Sequence, residues 1–323
     1  MIGPMLFAGF VSVLGPQLRV PRVTRPIGQT VVAASVGLSF TPVAVTALSE
    51  QIIPMLAAAL LTVLAGFLVA AVLMRLTRID VISAALASIP GGPVEMAALA
   101  SGHGADPGPV AFAQTLRIVL LVLIIPPLLV ALDGSVQDPS RVLAGRDFDL
   151  LGAILLLALG TAGGVFFRSV RLSSPFFLGP LGFSAFASAL VLPVSAVPYP
   201  VIAAAQVLLG VWLGAMLDRD LMSRARGFVP AVFVSTALLL VLCVAMALGI
   251  SAATGISWQI MVLATAPGSV TEMALTAKIL QENVALVTAF HVVRIFVIIP
   301  SAPLIFAITV KLAGRRSEHG PAP

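Results

Sequence analysis

Charge is scarce in this chain: aspartate, glutamate, lysine and arginine together make up 10% of 323 residues, while 59% are apolar. An ordinary soluble domain is roughly one quarter charged, so this surface is not built for water. Cysteine is nearly absent, and the single Cys243 forms no internal disulfide and reads as an apolar filler inside a helix. The three histidines, His103, His291 and His319, stand far apart and with Cys243 offer no metal-ligand spacing. Lysine occurs only as Lys278 and Lys311, so the net charge of +5 rests on arginines scattered through short loops. That distribution marks orientation in a membrane and gives no clustered basic face for nucleic acid. No nucleophile elbow, phosphate loop or carboxylate dyad can be read from the sequence. No positive segment precedes residues 2–14, so a cleavable signal peptide is not expected there. An enzyme is therefore not expected, and neither is a resident metal or cofactor.

What the chain has is long apolar runs. Windows 52–74, 118–132, 150–167, 229–250 and 286–311 are apolar all round, and several approach the ~20 residues that a helix needs to cross a hydrocarbon core. None shows the period-two alternation of a barrel wall, so the expected class is an all-α integral membrane protein with the lipid bilayer as its first partner.

Two stretches read alike. Residues 89–98 are IPGGPVEMAA and residues 266–275 are APGSVTEMAL, and the match continues without a gap at the constant offset that separates Pro90 from Pro267. At that offset Glu95 pairs with Glu272, Met96 with Met273, Arg117 with Arg294 and Pro126 with Pro303; upstream, Gln29 pairs with Gln206 and Gly37 with Gly214. Matched Pro, Glu, Gln and Arg at one spacing point to an internal duplication. The expected organisation is a first repeat over 1–132 lacking its opening helix, a linker outside the cytoplasm over 133–149, a second repeat over 150–313 and a polar cytoplasmic tail over 314–323.

Arginine placement inverts between the halves. Arg19, Arg22, Arg25 and Arg75, Arg78 follow the first and third segments of the first half, whereas Arg219, Arg224 and Arg226 follow the second segment of the other. Positive residues mark the cytoplasmic side, so the halves should have opposite orientation. Segments 80–103 and 257–280 each hold two short apolar pieces around a Pro-Gly break, too short to span about 30 Å. Two inverted-topology repeats, with about nine full spans plus two opposed re-entrant hairpins of broken helix, satisfy every arginine cluster. Segment 27–48 is counted among the full spans.

Irregular backbone at membrane depth needs protein or a water-filled cavity to satisfy it. Pro90, Gly91, Gly92 and Pro267, Gly268, Ser269 each free backbone groups just before a helix start, where N–H groups and the positive dipole end favour an anion. Two readings fit Glu95 and Glu272 at the third helical position. Either they cap, Ser269-Val270-Thr271-Glu272 being a capping box, or they serve as proton or cation groups, since ionisable residues inside a membrane are costly. Arg117 and Arg294 follow Gln114 and His291 by three residues and so share a face with them. They read as partners of the glutamates, as a two-pronged grip on a carboxylate, or as side chains reaching for the interface. Gln29 and Gln206 suit either helix packing or a cavity wall.

The doubled PGG-x-x-EM pattern, Pro90-Gly91-Gly92…Glu95-Met96 and Pro267-Gly268…Glu272-Met273, inside twin apolar repeats resembles the AbrB family of bacterial membrane proteins across essentially the whole chain. Ser269 departs from it by standing where the pattern has glycine. The resemblance implies a bacterial inner-membrane protein. Of the labels attached to the family, regulator of gene expression would require an indirect route, and an ammonia monooxygenase finds no metal site here. The repeat design also resembles secondary transporters with opposed hairpins, which implies a homodimer and a site at the midplane. The expected function is a secondary transporter or exporter of a small anionic solute coupled to Na⁺ or H⁺; the alternative is a membrane sensor that regulates gene expression by binding a ligand without moving it.

Overall fold

The computed structural model describes residues 1–15, 18–77, 79–133, 148–172, 174–217 and 228–298. Fourteen helices and no strand occur among them. The first seven are α1 (Ile2–Leu14), α2 (Thr24–Gly37), α3 (Pro42–Ser49), α4 (Ile52–Leu76), α5 (Val81–Ser88), α6 (Pro93–Gly102) and α7 (Pro107–Asp133). The second set is α8 (Leu150–Ser169), α9 (Pro175–Ala189), α10 (Tyr199–Ala215), α11 (Val229–Thr254), α12 (Trp258–Thr265), α13 (Val270–Ile279) and α14 (Val284–Ile298).

Among the described residues α4, α7, α8 and α11 are long and apolar enough to cross a membrane, where nine full spans are expected from the sequence. A fifth is reached only by joining α2 and α3, which are bent by 87° at their break. Segment 27–48 is thus two helices, not one. The cause is local: Thr41 caps α3 by accepting from the Ala44 N–H at 3.3 Å, and Pro42 occupies the first helical position, where it cannot continue a preceding helix. The shorter apolar helices are α1, α9, α10 and α14. Arg78, Arg219, Arg224, Arg226, Pro303, His319, residues 134–147 of the expected linker and everything from 299 through the expected tail lie outside the described residues.

Helix boundaries recur along the chain. The bounds of α12 and α13 are those of α5 and α6 moved by the offset between Pro90 and Pro267, and α11 and α14 begin one such offset after α4 and α7. The same local signals set them. Asp80 caps α5 by accepting from Ser83 N at 2.8 Å, and Ser257 caps α12 by accepting from Ile260 N at 3.4 Å. At the end of α11 the chain reverses through Gly255, whose φ of 74° is a conformation that glycine adopts without strain.

Packing sorts the helices into two groups. α1, α2, α8, α9 and α10 pack on one another, and α4, α5, α6, α7, α11, α12 and α13 form the other set. Contact inside the first group is close. A Cβ placed on Gly179 of α9 would stand 2.2 Å from the Gly163 carbonyl oxygen of α8, so the two backbones touch directly, as small residues permit in helix pairs without a hydrophobic driving force. Between the groups α2 meets α13 and α10 meets α7. The largest apolar cluster runs through that seam, with Val32, Ala33 and Val36 of α2 beside Met273, Ala274 and Ala277 of α13.

Candidate functional site

Each break between short helices has a dedicated donor pair. In the first, Gln114 donates from Nε2 to the carbonyls of Leu86 (2.6 Å) and Ile89 (2.8 Å), and Arg117 donates to Ala87 (3.3 Å) and Ser88 (3.0 Å). Arg117 also donates to the Gln114 side-chain oxygen. In the second, His291 Nε2 donates to the Leu263 carbonyl at 2.9 Å, and Arg294 donates to Ala266 (2.7 Å) and Gly268 (3.3 Å). Arg294 Nη2 lies 2.7 Å from His291 Nδ1. A carbonyl only accepts and a guanidinium only donates, so the ring carries its proton on Nε2. Glutamine and histidine therefore do one job with different chemistry: each gives a hydrogen to the end of the short helix and takes one from the arginine beside it.

Of the three readings of Arg117 and Arg294, pairing with the glutamates is not what the structure shows among the described residues. Both give terminal nitrogens to carbonyls at the helix ends and breaks, and Arg117 keeps Nε without a partner among the described residues. At 2% and 6% exposure neither reaches an interface. The capping box at Ser269 is likewise not formed. The Ser269 side chain makes no capping bond, and its hydroxyl stands 2.7 Å from that of Thr271 instead.

The starts of α6 and α13 open on one cavity of about 130 Å³. Of the residues expected from sequence, Pro90, Gly91, Gly92, Glu95, Gly268, Ser269, Thr271, Glu272 and Arg294 line it, and Gln29 joins them. Pro267, Gln114, Arg117 and His291 do not; the last three hold the breaks behind the wall through the bonds above. Both helix groups contribute, since Arg25 and Gln29 come from α2 and Trp212 from α10.

Sequence reasoning missed Arg25. It was grouped with loop arginines, yet it lies in the first turn of α2 and points inward. Its Nη2 is 3.5 Å from Glu95 Oε1, and its guanidinium carbon sits 4.8 Å from the centre of the Trp212 ring. Ser174, the residue before α9, donates to the same Glu95 oxygen at 3.0 Å. Glu95 of the second helix group is thus tied to two elements of the first. The signal that could have found Arg25 is its place one residue inside a helix opened by Thr24 and Pro26, rather than in the loop before it.

The two glutamates differ. Glu272 is 7% exposed with Oε2 buried and unpartnered among the described residues, the hydroxyls of Ser269 and Thr271 beside it. The side chain of Glu95 is 23% exposed and also keeps Oε2 unpartnered. One residue separates their conformations. A Cβ on Gly92 would lie 1.9 Å from Glu95 Oε2, so that carboxylate occupies space only glycine leaves. The matching position in the second motif is Ser269, which has a Cβ, and a glutamate there cannot fold back the same way. Gly92→Ala is expected to swing the Glu95 carboxylate aside and to cost about 1 kcal/mol or less, since the atom it meets is the free end of a flexible side chain. The loss should vanish when Glu95 is alanine as well, read from thermal unfolding in detergent. Equal losses with and without the carboxylate would contradict the collision.

Four apolar helices of membrane-crossing length, with two buried arginines and a buried glutamate gathered at two helix breaks, define a multi-pass helical membrane protein. Comparison with known proteins places it further: the chain belongs to the AbrB family, whose model, described as "Transition state regulatory protein AbrB", matches residues 1–309. It is 28% identical over 322 residues to "Putative regulator AbrB" of Escherichia coli (strain K12), covering 98% of this chain and 91% of that one. It is 25% identical over 344 residues to "Uncharacterized protein YhjN" of Bacillus subtilis (strain 168), covering 98% of this chain and 89% of that one.

Proposed function

We propose that the protein is a secondary transporter of a small anionic solute in the bacterial inner membrane, coupled to H⁺ or Na⁺. The observation that carries this is the cavity at the seam between the two helix groups, where two helix starts converge and a buried carboxyl, Glu272, has an oxygen without a partner among the described residues. A helix start favours an anion, and a buried carboxyl favours a proton or a cation. The two together suit co-binding. The recurrence of helix bounds supports two repeats and the inverted arginine placement supports their opposite orientation, with each broken helix gating one face as one group moves against the other. The donor pairs at the breaks support that role, because they keep the short helices rigid while leaving their N-terminal groups to a ligand.

Counterflow of labelled small carboxylates in proteoliposomes tests this, at two pH values and with or without Na⁺. Exchange that depends on the protein and on one of the ions is the expected result. Binding without any flux would favour a sensor, the reading that the printed names of the family and of the Escherichia coli relative support. Deletion should then change transcripts without changing solute content.

A further inference from the structure

Among the described residues the cavity holds one guanidinium that a solute can reach. Arg294 is on its wall, but its terminal nitrogens are engaged by Ala266, Gly268 and His291. Arg25 is different. Its contact to Glu95 is long at 3.5 Å, its charge lies against the Trp212 ring, and its side chain is 19% exposed. The partner it does have is a carboxylate. We propose that Arg25 is the residue that grips the solute, that Glu95 occupies it in the empty protein as an internal stand-in for the solute's carboxylate, and that the solute is a small monocarboxylate with an apolar body. This rests on the anion-transport reading and names its substrate class.

Three observations fix the class. Guanidinium and carboxylate fit as a planar fork, so a carboxylate arriving at Arg25 would replace Glu95 like for like. A second negative charge on the solute would find no further open cation on the described wall. It would instead face Glu272, whose Oε2 is already without a donor. Most of the remaining wall is apolar, with Met96, Phe177, Leu209, Leu213, Ile295 and Ile298 beside the Gln29 amide and the Ser269 and Thr271 side chains. At about 130 Å³ the space lies below the roughly 300–1,000 Å³ of drug-sized pockets, so the body must be short. Ser174 donates to the same Glu95 oxygen as Arg25, and both belong to the first helix group while Glu95 belongs to the second. Displacing Glu95 therefore also releases a polar link across the seam. The second repeat does not copy this device, because the position that matches Arg25 at the repeat offset is the buried Ile202.

The two tryptophans, Trp212 and Trp258, allow a direct test. In full-length Trp258→Phe protein, Trp212 emission reports on the guanidinium beside it, while calorimetry reports binding independently. Sodium butyrate should bind saturably and shift the emission. Succinate, with the same carbon count and a second carboxylate, should do neither. Removing an internal competitor tightens apparent affinity by the inverse of the fraction of time that Arg25 stands open, so Glu95→Gln should bind butyrate more tightly, by roughly tenfold for an occupancy of about nine-tenths. Adding Arg25→Gln to Glu95→Gln leaves a neutral pair and should abolish the heat of butyrate binding. Equal butyrate affinity in that double variant and in Glu95→Gln would overturn the anchor. Weaker binding in Glu95→Gln would overturn the stand-in, and succinate binding as tightly as butyrate would overturn the solute class. Anion binding or flux that ignores Arg25 sinks this inference alone, whereas no anion bound or moved by any variant sinks the transport reading with it.

Discussion

Arg117→Leu is expected to cost about 3–9 kcal/mol of stability, because it strips the Ala87 and Ser88 carbonyls and the Gln114 side-chain oxygen of their donor. Each buried acceptor left alone costs about 1–3 kcal/mol, and at this depth no water is at hand to replace the guanidinium. The loss should show as a lowered unfolding temperature and a smaller folded fraction extracted from membranes. Arg117→Lys should recover only part of it, since an ammonium lacks the fork that spans adjacent carbonyls. Anion affinity measured on the folded remainder should stay near the parent value, because Arg117 does not line the cavity. A stable Arg117→Leu protein that no longer binds solute would reverse the assignment and make Arg117 a binding residue.

Glu272→Gln should do the opposite, sparing the fold and removing the coupling. The side chain is buried with one oxygen unpartnered, so its charged form is costly where it stands, and a neutral amide of the same shape should change stability by about 1 kcal/mol or less. What it cannot do is take up and release a proton or hold a cation as a carboxylate does. In proteoliposomes the variant is expected to exchange solute across the membrane yet to lose concentrative uptake driven by a pH or Na⁺ gradient. Wild-type dependence on both gradients in Glu272→Gln would reject the coupling role and return this glutamate to a structural one.

The helices themselves were legible because the bilayer forces a simple pattern. Apolar runs gave α4, α7, α8 and α11, and the Pro-Gly breaks gave the two pairs of short helices nearly to the residue. Thr41-Pro42 carried its own warning of a new helix start and was overridden by the apolar composition around it. The site was half legible. Glu95, Glu272 and the glycines declared themselves by spacing. Arg117 and Arg294 announced that they mattered but not how, since a buried guanidinium looks the same in sequence whether it faces a solute or a carbonyl. Arg25 was hidden by its neighbours Arg19 and Arg22. Which way its side chain turns is settled by Glu95 of α6 and Trp212 of α10, both far along the chain, and no local pattern carries that information.

Among the described residues four ionisable side chains line the cavity: Arg25, Arg294, Glu95 and Glu272. Their formal charges cancel when all are ionised, so an empty protein changing sides moves no net charge. A monoanion alone would bring the sum to minus one and would feel the membrane voltage at about 2.3 kcal/mol per 100 mV. One proton on Glu272 restores zero. On the proposed reading both legs of the cycle are then electrically silent. With a proton or one Na⁺ taken up at Glu272, the carrier would be indifferent to voltage, and a potential clamped across proteoliposomes would leave its rate unchanged.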